Sequence, residues 1–448
     1  MRFVGIDIGA ERHSVAIVDE AGRIVSKSVS FEEGAAGYRR LSELLGSPAD
    51  CLIPMEATGH YWKNLFAALA AEGFPIVLLN PLRTRRFAEE ELQRTKTDKV
   101  DAVSIARFAA QKRPAATALR GPEIEELKQL VRLREQSVQH LGDRVRHLHQ
   151  AIDLTFPEFT RHVRGLDTEL ATAILVRYPT AQALRTISVR KLAGLCYDGR
   201  RRIGDVLARA LIEAAKISVG HFSSEPYQFQ VRYACEDIVS LRARVRELET
   251  DIELRLNTDE VGKLLTTIPG VSTLTAARIV AETGDPAQFR SAAAFASYIG
   301  AVPRLHQSGK KRYSGKPAIP LGNARLRRAL WMPVLVGIRL NPWLRTYYLR
   351  LRSAGKRPKV AIIAAMHKLL LAIYSVANIE RHLFRNFLLR SRTQPVGRNL
   401  EAIFGVERDT AVAPCKITKA RAAFNLDYLR AHFGAQRGGI GLRDQNPC

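Results

Sequence analysis

The first hundred residues switch repeatedly between alternating and helical spacing of apolar positions. Phe3–Ile8 reads as a short apolar strand. Ser14–Val18 and Ile24–Ser30 alternate, and the turn Glu20-Ala21-Gly22 between them completes a three-strand meander. Gly37–Leu45 has helical spacing. Cys51–Met55 is another apolar strand, ending at Glu56, and Tyr61–Glu72 is an amphipathic helix stopped by Gly73. Ile76–Leu79 is the next strand, ended by Asn80-Pro81. Thr97–Ala110 then reads as a helix with Thr97 as its N-cap and acids in the first turn, where the helix dipole favours them. The pattern predicts an α/β module over residues 1–115.

The middle of the chain is helical throughout. Leu127, Leu130, Val131, Leu133, Val138, Leu141, Val145 and Leu148 recur at roughly heptad spacing within a long polar helix over 122–152. Cys235–Leu256 repeats the style with Ile238, Leu241, Val245, Leu248 and Ile252. Two such stripes predict a coiled-coil hairpin that also self-associates, with several short helices between them over 160–220, so that residues 120–258 form a helical domain. Beyond it, 264–289 reads as a helix, the turn Pro269-Gly270-Val271, and a second helix from Ser272 to Thr283. This pattern predicts a helix-hairpin-helix, a device that offers turn amides and a helix N-terminus to phosphate. Helices at 291–299, 322–340 and 358–377 complete a mainly α domain over 260–385. The tail over 386–448 loses the pattern, and its end, Gln436–Cys448, is Gly-rich.

Charge changes this picture. The 448 residues carry 69 Lys and Arg against 44 Asp and Glu, a net +25. Such an excess points to a polyanionic partner. It is unevenly placed: Met1 to Ala110 holds 15 acids and 14 bases, whereas Pro286 to Ile379 holds 17 bases and no acid. A neutral, acid-bearing front module is joined to a basic rear one, and the length and globular pattern of the basic stretch favour nucleic-acid backbone over a membrane surface. The one long apolar run, Val360 to Ala377, is interrupted by His367 and Lys368, which reads as a buried helix and not a membrane span. Five scattered cysteines without a CxxC pair, and an N-terminus lacking an apolar leader, predict a reducing, cytoplasmic setting.

Four carboxylates carry candidate chemistry. Asp7 sits inside the apolar strand Gly5-Ile6-Asp7-Ile8-Gly9, where an acid is costly without a partner. Glu56 ends the fourth strand, and Asp98 and Asp101 are at i and i+3 on one helix face. Acids on two strands and one late helix suit a pair of divalent metals that activate one oxygen and stabilise another in phosphodiester chemistry. Taken singly, Asp7 also fits an actin-like kinase strand, Glu56 a surface turn and Asp98 a helix-dipole partner.

The chain resembles the transposases of the insertion-sequence family one-ten. The resemblance rests on GIDIG at 5–9, MEATGHYW at 55–62, TKTDKVDA at 95–102, LLTTIPGV at 264–271, AAFASYIGAVP at 293–303, QSGKKR at 307–312 and LGNARLRRAL at 321–330. It implies an RNase H-like, RuvC-like first domain whose Asp-Glu-Asp-Asp signature falls on Asp7, Glu56, Asp98 and Asp101 and binds Mg²⁺. It also implies that Ser308 is a recombination nucleophile forming a covalent phosphoserine link to DNA, that a structured RNA from the element guides the reaction, and that the enzyme acts as a dimer or tetramer on DNA. Read from the residues alone, Ser308-Gly309 in a basic loop is a phosphate contact. Lys310, Lys311 and Arg312 supply positive potential there, Ser314 is a nearby competitor, and the segment Ile319-Pro320-Leu321 lacks the lysine common before the family's Gly-Asn. Arg325, Arg327 and Arg328 cluster as phosphate clamps, and Gly270 belongs to the hairpin turn. Competing readings are a Mg²⁺-dependent junction resolvase that uses water, a non-catalytic nucleic-acid-binding regulator, and a sugar kinase.

Overall fold

In a computed structural model the chain divides into two units, Met1–Arg120 and Gly121–Cys448. The structure describes residues 1–92, 95, 97–117, 121–302 and 322–389, with side chains to residue 378.

The first unit runs β1 (Arg2–Asp7), β2 (Arg12–Val18), β3 (Ile24–Glu32), α1 (Ala35–Leu45), β4 (Cys51–Glu56), α2 (Trp62–Ala71), β5 (Ile76–Leu79), α3 (Pro81–Glu90) and α4 (Asp98–Lys112). Its five-stranded sheet has the order β3-β2-β1-β4-β5. β1, β2 and β3 are antiparallel neighbours, as the alternating pattern predicts, while β4 and β5 join in parallel through helical crossovers. The β2–β3 turn closes because Asp19 Oδ1 accepts from the amides of Ala21 and Arg23 at 2.9 and 2.8 Å. One sheet face packs Val4, Ile6, Val15 and Ile53 against Leu41 and Leu45 of α1 and Leu65 and Leu69 of α2. The other packs Phe3, Val18, Leu52 and Val77 against Phe87 of α3 and Ile105, Phe108 and Ala109 of α4.

Two elements depart from the sequence pattern. Asn80-Pro81 ends β5 but also starts α3: Asn80 Oδ1 accepts from the Leu82 amide at 2.9 Å, and Pro81 occupies the first helical position. Asn341-Pro342 repeats the device further along the chain.

The second unit is helical. It comprises α5 (Pro122–Thr155), α6 (Phe159–His162), α7 (Glu169–Arg177), α8 (Ala181–Arg185), α9 (Val189–Ala193), α10 (Asp205–Lys216), α11 (Glu225–Leu256), α12 (Glu260–Thr266), α13 (Thr273–Thr283), α14 (Ala292–Ile299), α15 (Ala324–Ala329), α16 (Trp331–Leu340), α17 (Pro342–Ser353) and α18 (Pro358–Leu389). The stretch expected as one helix over 322–340 breaks at Leu330 into α15 and α16. Pro333 has no amide to offer the Ala329 carbonyl, so the ladder is interrupted there.

α5 and α11 pair antiparallel. Glu126 meets Arg255, Arg134 meets Glu249, and Arg144 meets Asp237 at 3.1 Å, so one partner number rises as the other falls. The pair carries a core at each end. Leu148, Ile152, Phe156, Val231, Cys235 and Ile238 join one built with α6 to α10. Leu127, Val131, Ile252 and Leu256 join the other, built with α12 to α18. Between the cores Val245 and Leu248 of α11 stay buried, whereas Leu133 and Val138 of α5 are 48% and 36% exposed. Helix α18 is long and apolar enough over Pro358–Asn378 to cross a membrane by length and composition. Ile362, Ala365, Met366, Leu369, Leu370 and Ile373 are nonetheless buried in the second core, which accounts for the apolar run.

Candidate active site

Asp7 and Glu56 are brought together by strand register. β1 and β4 pair Phe3 with Leu52 and Ile6 with Met55, so the next residues, Asp7 and Glu56, stand side by side at adjacent strand ends. Side chains alternate across a strand, so Phe3, Gly5 and Asp7 share one face, as do Leu52, Pro54 and Glu56. That face is the one covered by α3 and α4, because Phe3 and Leu52 pack there. Ser14 pairs with Asp7 and Ser30 with Ser14, so a polar row of Ser30, Ser14, Asp7 and Glu56 crosses four strands.

Helix α4 brings the other two acids to this end. A Cβ on Gly5 would lie 2.1 Å from the Ala102 carbonyl oxygen and 2.5 Å from the Ala106 nitrogen, so only glycine lets α4 lie this close to β1. Gly5 faces Ala102 and Ala106, whereas Phe3 joins the cluster of Ile105, Phe108 and Ala109. The helix therefore runs opposite to β1, and its first turn, with Asp98 and Asp101, lies at the Asp7 end. Thr97 caps that turn by accepting from the Val100 amide at 3.3 Å. Asp98 is exposed; Asp7, Glu56 and Asp101 are half-buried. Among the described residues no three acidic, histidine or cysteine side chains converge on a single point. All four are carboxylates, hard oxygen groups of the kind divalent cations take.

One neighbour of this set escaped the sequence pattern because α3 did. Thr84, 4% exposed on α3, donates its hydroxyl to Glu56 Oε1 and also lies 3.0 Å from the Pro81 carbonyl oxygen. The other oxygen, Oε2, has the Thr58 hydroxyl at 3.5 Å. On the opposite sheet face, buried His13 meets Glu33 at 2.7 Å between Nε2 and Oε2. Burial alone would raise the Glu33 pKa, but hydrogen bonds from Tyr38, His13 and Asn64 outweigh it and hold the carboxyl below its ordinary value.

In the second unit a turn at Pro269-Gly270-Val271 joins α12 and α13. Gly270 has φ of 98°, and a Cβ there would stand 2.8 Å from Gly337 Cα. Its close backbone approach is thus to α16. The three arginines of α15 differ in occupation. Arg325 pairs with Glu135 at 3.4 Å, Arg327 donates to the Ile299 carbonyl at 3.1 Å, and Arg328 is exposed. Buried Glu282 organises the ground beneath them, accepting from Arg132 Nε at 3.1 Å and from Asn323 Nδ2 at 3.3 Å. Ser308, Lys310, Lys311 and Arg312 lie outside the described residues, as do Ser314 and the Ile319-Pro320-Leu321 segment.

Comparison with known proteins fits this two-part arrangement. A family model for a DEDD transposase domain matches residues 4–157, and one described as the transposase of the IS116/IS110/IS902 family matches residues 262–349. The mini-circle transposase named for IS117 from Streptomyces coelicolor is 30% identical over 383 residues, covering 79% of this chain and 88% of that protein. The 43.6 kDa protein of insertion element IS110 from the same organism is 27% identical, over 81% of this chain and 90% of its own. The pilin gene-inverting protein of Moraxella bovis is 26% identical, over 85% and 96%. An acid-bearing mixed sheet followed by a basic helical unit is, in this company, a DNA-recombining enzyme of the transposase class. The chain belongs to the IS110 family of transposases.

Proposed function

We propose that the first unit is an RNase H-like, RuvC-like domain in which Asp7, Glu56, Asp98 and Asp101 hold Mg²⁺, and that the protein excises and inserts a mobile element through Ser308. The observation that carries the reading is the register pairing of Asp7 with Glu56 on the sheet face that α4 covers, with Asp98 and Asp101 in that helix's first turn. The strand order, three antiparallel strands followed by two parallel ones, supports the RNase H-like reading.

Asp7 and Glu56 are fixed on rigid strands, and their carboxylate oxygens would hold the cation. When bound, Mg²⁺ neutralises phosphate charge and lowers the cost of deprotonating an attacking oxygen. Ser308 Oγ gives up its proton to solvent as it forms the new bond to phosphorus, and the DNA oxygen whose bond to phosphorus breaks takes up a proton and leaves as a hydroxyl; the phosphoester is conserved for religation. Lys310, Lys311, Arg312 and Arg328 neutralise DNA phosphates, with Arg325 and Arg327 as further contacts. A structured RNA guide and a dimer or tetramer complete the reading. The +25 charge supports binding of RNA and DNA together, and the open apolar positions between the two cores support self-association.

The test is excision from native flanking DNA. Wild type yields the circular junction, and Ser308→Ala and Asp7→Asn do not. Recombination surviving in Ser308→Ala but not in Asp7→Asn would assign the chemistry to metal-dependent hydrolysis by water and remove the serine from it.

A further inference from the structure

We infer that Thr84 is a positioning residue for Glu56, fixing the carboxylate in the rotamer that a divalent cation requires. The inference rests on the acid-site reading above and deepens it.

Three observations converge. Glu56 is the last residue of β4 and pairs in register with Leu79, the last residue of β5. The chain then turns at Asn80-Pro81 directly into α3, and the first helical turn carries Thr84 back over the β4 end. There its hydroxyl, buried in a residue only 4% exposed, reaches Glu56 Oε1. The Thr84 proton has two acceptors within reach, the Glu56 carboxylate and the Pro81 carbonyl. An ionised carboxylate is the stronger acceptor, so the proton belongs to Glu56. Thr84 is β-branched, which leaves it two χ1 rotamers on a helix, and in the one it takes Oγ1 lies 3.0 Å from the i−3 carbonyl of Pro81 and reaches Glu56.

The consequence is a division of labour between the two oxygens of one carboxylate. Oε1 is anchored to α3 from the protein side. Oε2, whose protein neighbour is the longer 3.5 Å contact from Thr58 on the exposed side, is the oxygen presented outward. A free glutamate at a strand end samples several rotamers and must be ordered when the metal arrives. The hydrogen bond orders it in advance, and outer-shell partners of this kind typically contribute about 10- to 100-fold in metal affinity.

The experiment titrates the purified full-length protein with Mn²⁺ and reads free Mn²⁺ by electron paramagnetic resonance, with thermal melts alongside. Two contrasts isolate the hydroxyl: wild type against Thr84→Val, which keep the shape, and Thr84→Ser against Thr84→Ala, which both lack the methyl. If Thr84→Val does not fold, the Ser/Ala pair decides the matter. The expected result is Mn²⁺ affinity within about twofold of wild type for Thr84→Ser and about tenfold or more weaker for Thr84→Val and Thr84→Ala, at melting temperatures that do not track the loss. Glu56→Gln serves as the reference. Wild-type affinity in Thr84→Val or Thr84→Ala, with weakened affinity in Glu56→Gln, overturns the role of Thr84 and leaves the acid site standing. Unchanged affinity in Glu56→Gln removes Glu56 from the site and Thr84 with it.

Discussion

At the scale of single residues, the site depends on an absence and on a difference in occupation. The absence is the Gly5 side chain. The Ala102 carbonyl and Ala106 amide that a Cβ would meet are helix backbone and cannot turn aside as a flexible side chain would. Gly5→Ala is therefore expected to push α4 off β1 and to cost about 1–3 kcal/mol, measured by urea unfolding of the full chain, together with loss of excision activity. The difference in occupation lies among the α15 arginines. Arg328 is exposed, so Arg328→Ala should lower the slope of log affinity against log salt by about 0.9 on a DNA duplex, the loss of one phosphate contact. Arg325 already pairs with Glu135, which also holds Arg278 at 3.1 Å. Glu135→Gln releases Arg325 and is expected to tighten DNA binding in the same salt titration; unchanged affinity would place Arg325 away from the nucleic acid.

At the scale of elements, the hairpin of α5 and α11 shows where periodicity is informative and where it stops. The two cores take the ends of the pair, where short helices pack against it; in between, Val245 and Leu248 are buried while Leu133, Val138 and Val239 stay exposed. A heptad pattern reports that an apolar stripe exists, not which stretch a neighbour covers. Glu at positions 133 and 138 in place of Leu and Val is expected to leave the melting temperature of the isolated protomer nearly unchanged, since exposed substitutions usually stay within about 0.5 kcal/mol. The same double variant should shift the oligomer toward monomer in analytical ultracentrifugation; an unchanged oligomer would assign self-association to another surface. Asn-Pro is the complementary case. After β5 and again after α16 it reads as a terminator, and it does terminate. The same asparagine caps a new helix whose first position the proline fills, so α3 and α17 escaped the apolar pattern. Thr84 was out of sight with α3.

At the scale of the whole molecule, the second core sets a pH dependence. His367 is half-buried in α18, and burial, followed by the neighbouring charge of Lys368, pushes its pKa below the ordinary 6.5. The unfolded chain then binds this proton at a higher pH than the folded one. Stability from this group is full above about pH 6.5 and falls as the pH drops through that value toward the lowered folded one. His367→Gln should flatten the change in urea midpoint between pH 7.5 and 5.5 relative to wild type. A wild-type slope in the variant would assign the dependence to other groups. Net charge acts at the same scale: with 17 bases and no acid across 94 residues, the affinity of the protein for nucleic acid should fall steeply with salt.

The sequence by itself determined the local features: the five strands, the helix that bears Asp98 and Asp101, the Thr97 cap, the long helices and the charge asymmetry. These follow from side-chain alternation, helical periodicity and counting, which need no knowledge of distant neighbours. Only the tertiary structure decided that Asp7 and Glu56 are register neighbours, because β1 and β4 are separated by more than forty residues and parallel pairing leaves no turn to mark it. The same holds for the approach of α4 at Gly5, for Thr84 above Glu56, and for the pairing of Arg325 with Glu135. Each is a contact between residues far apart in the chain, fixed by how faces pack and by the backbone space a missing side chain leaves, and no periodicity along the sequence encodes that.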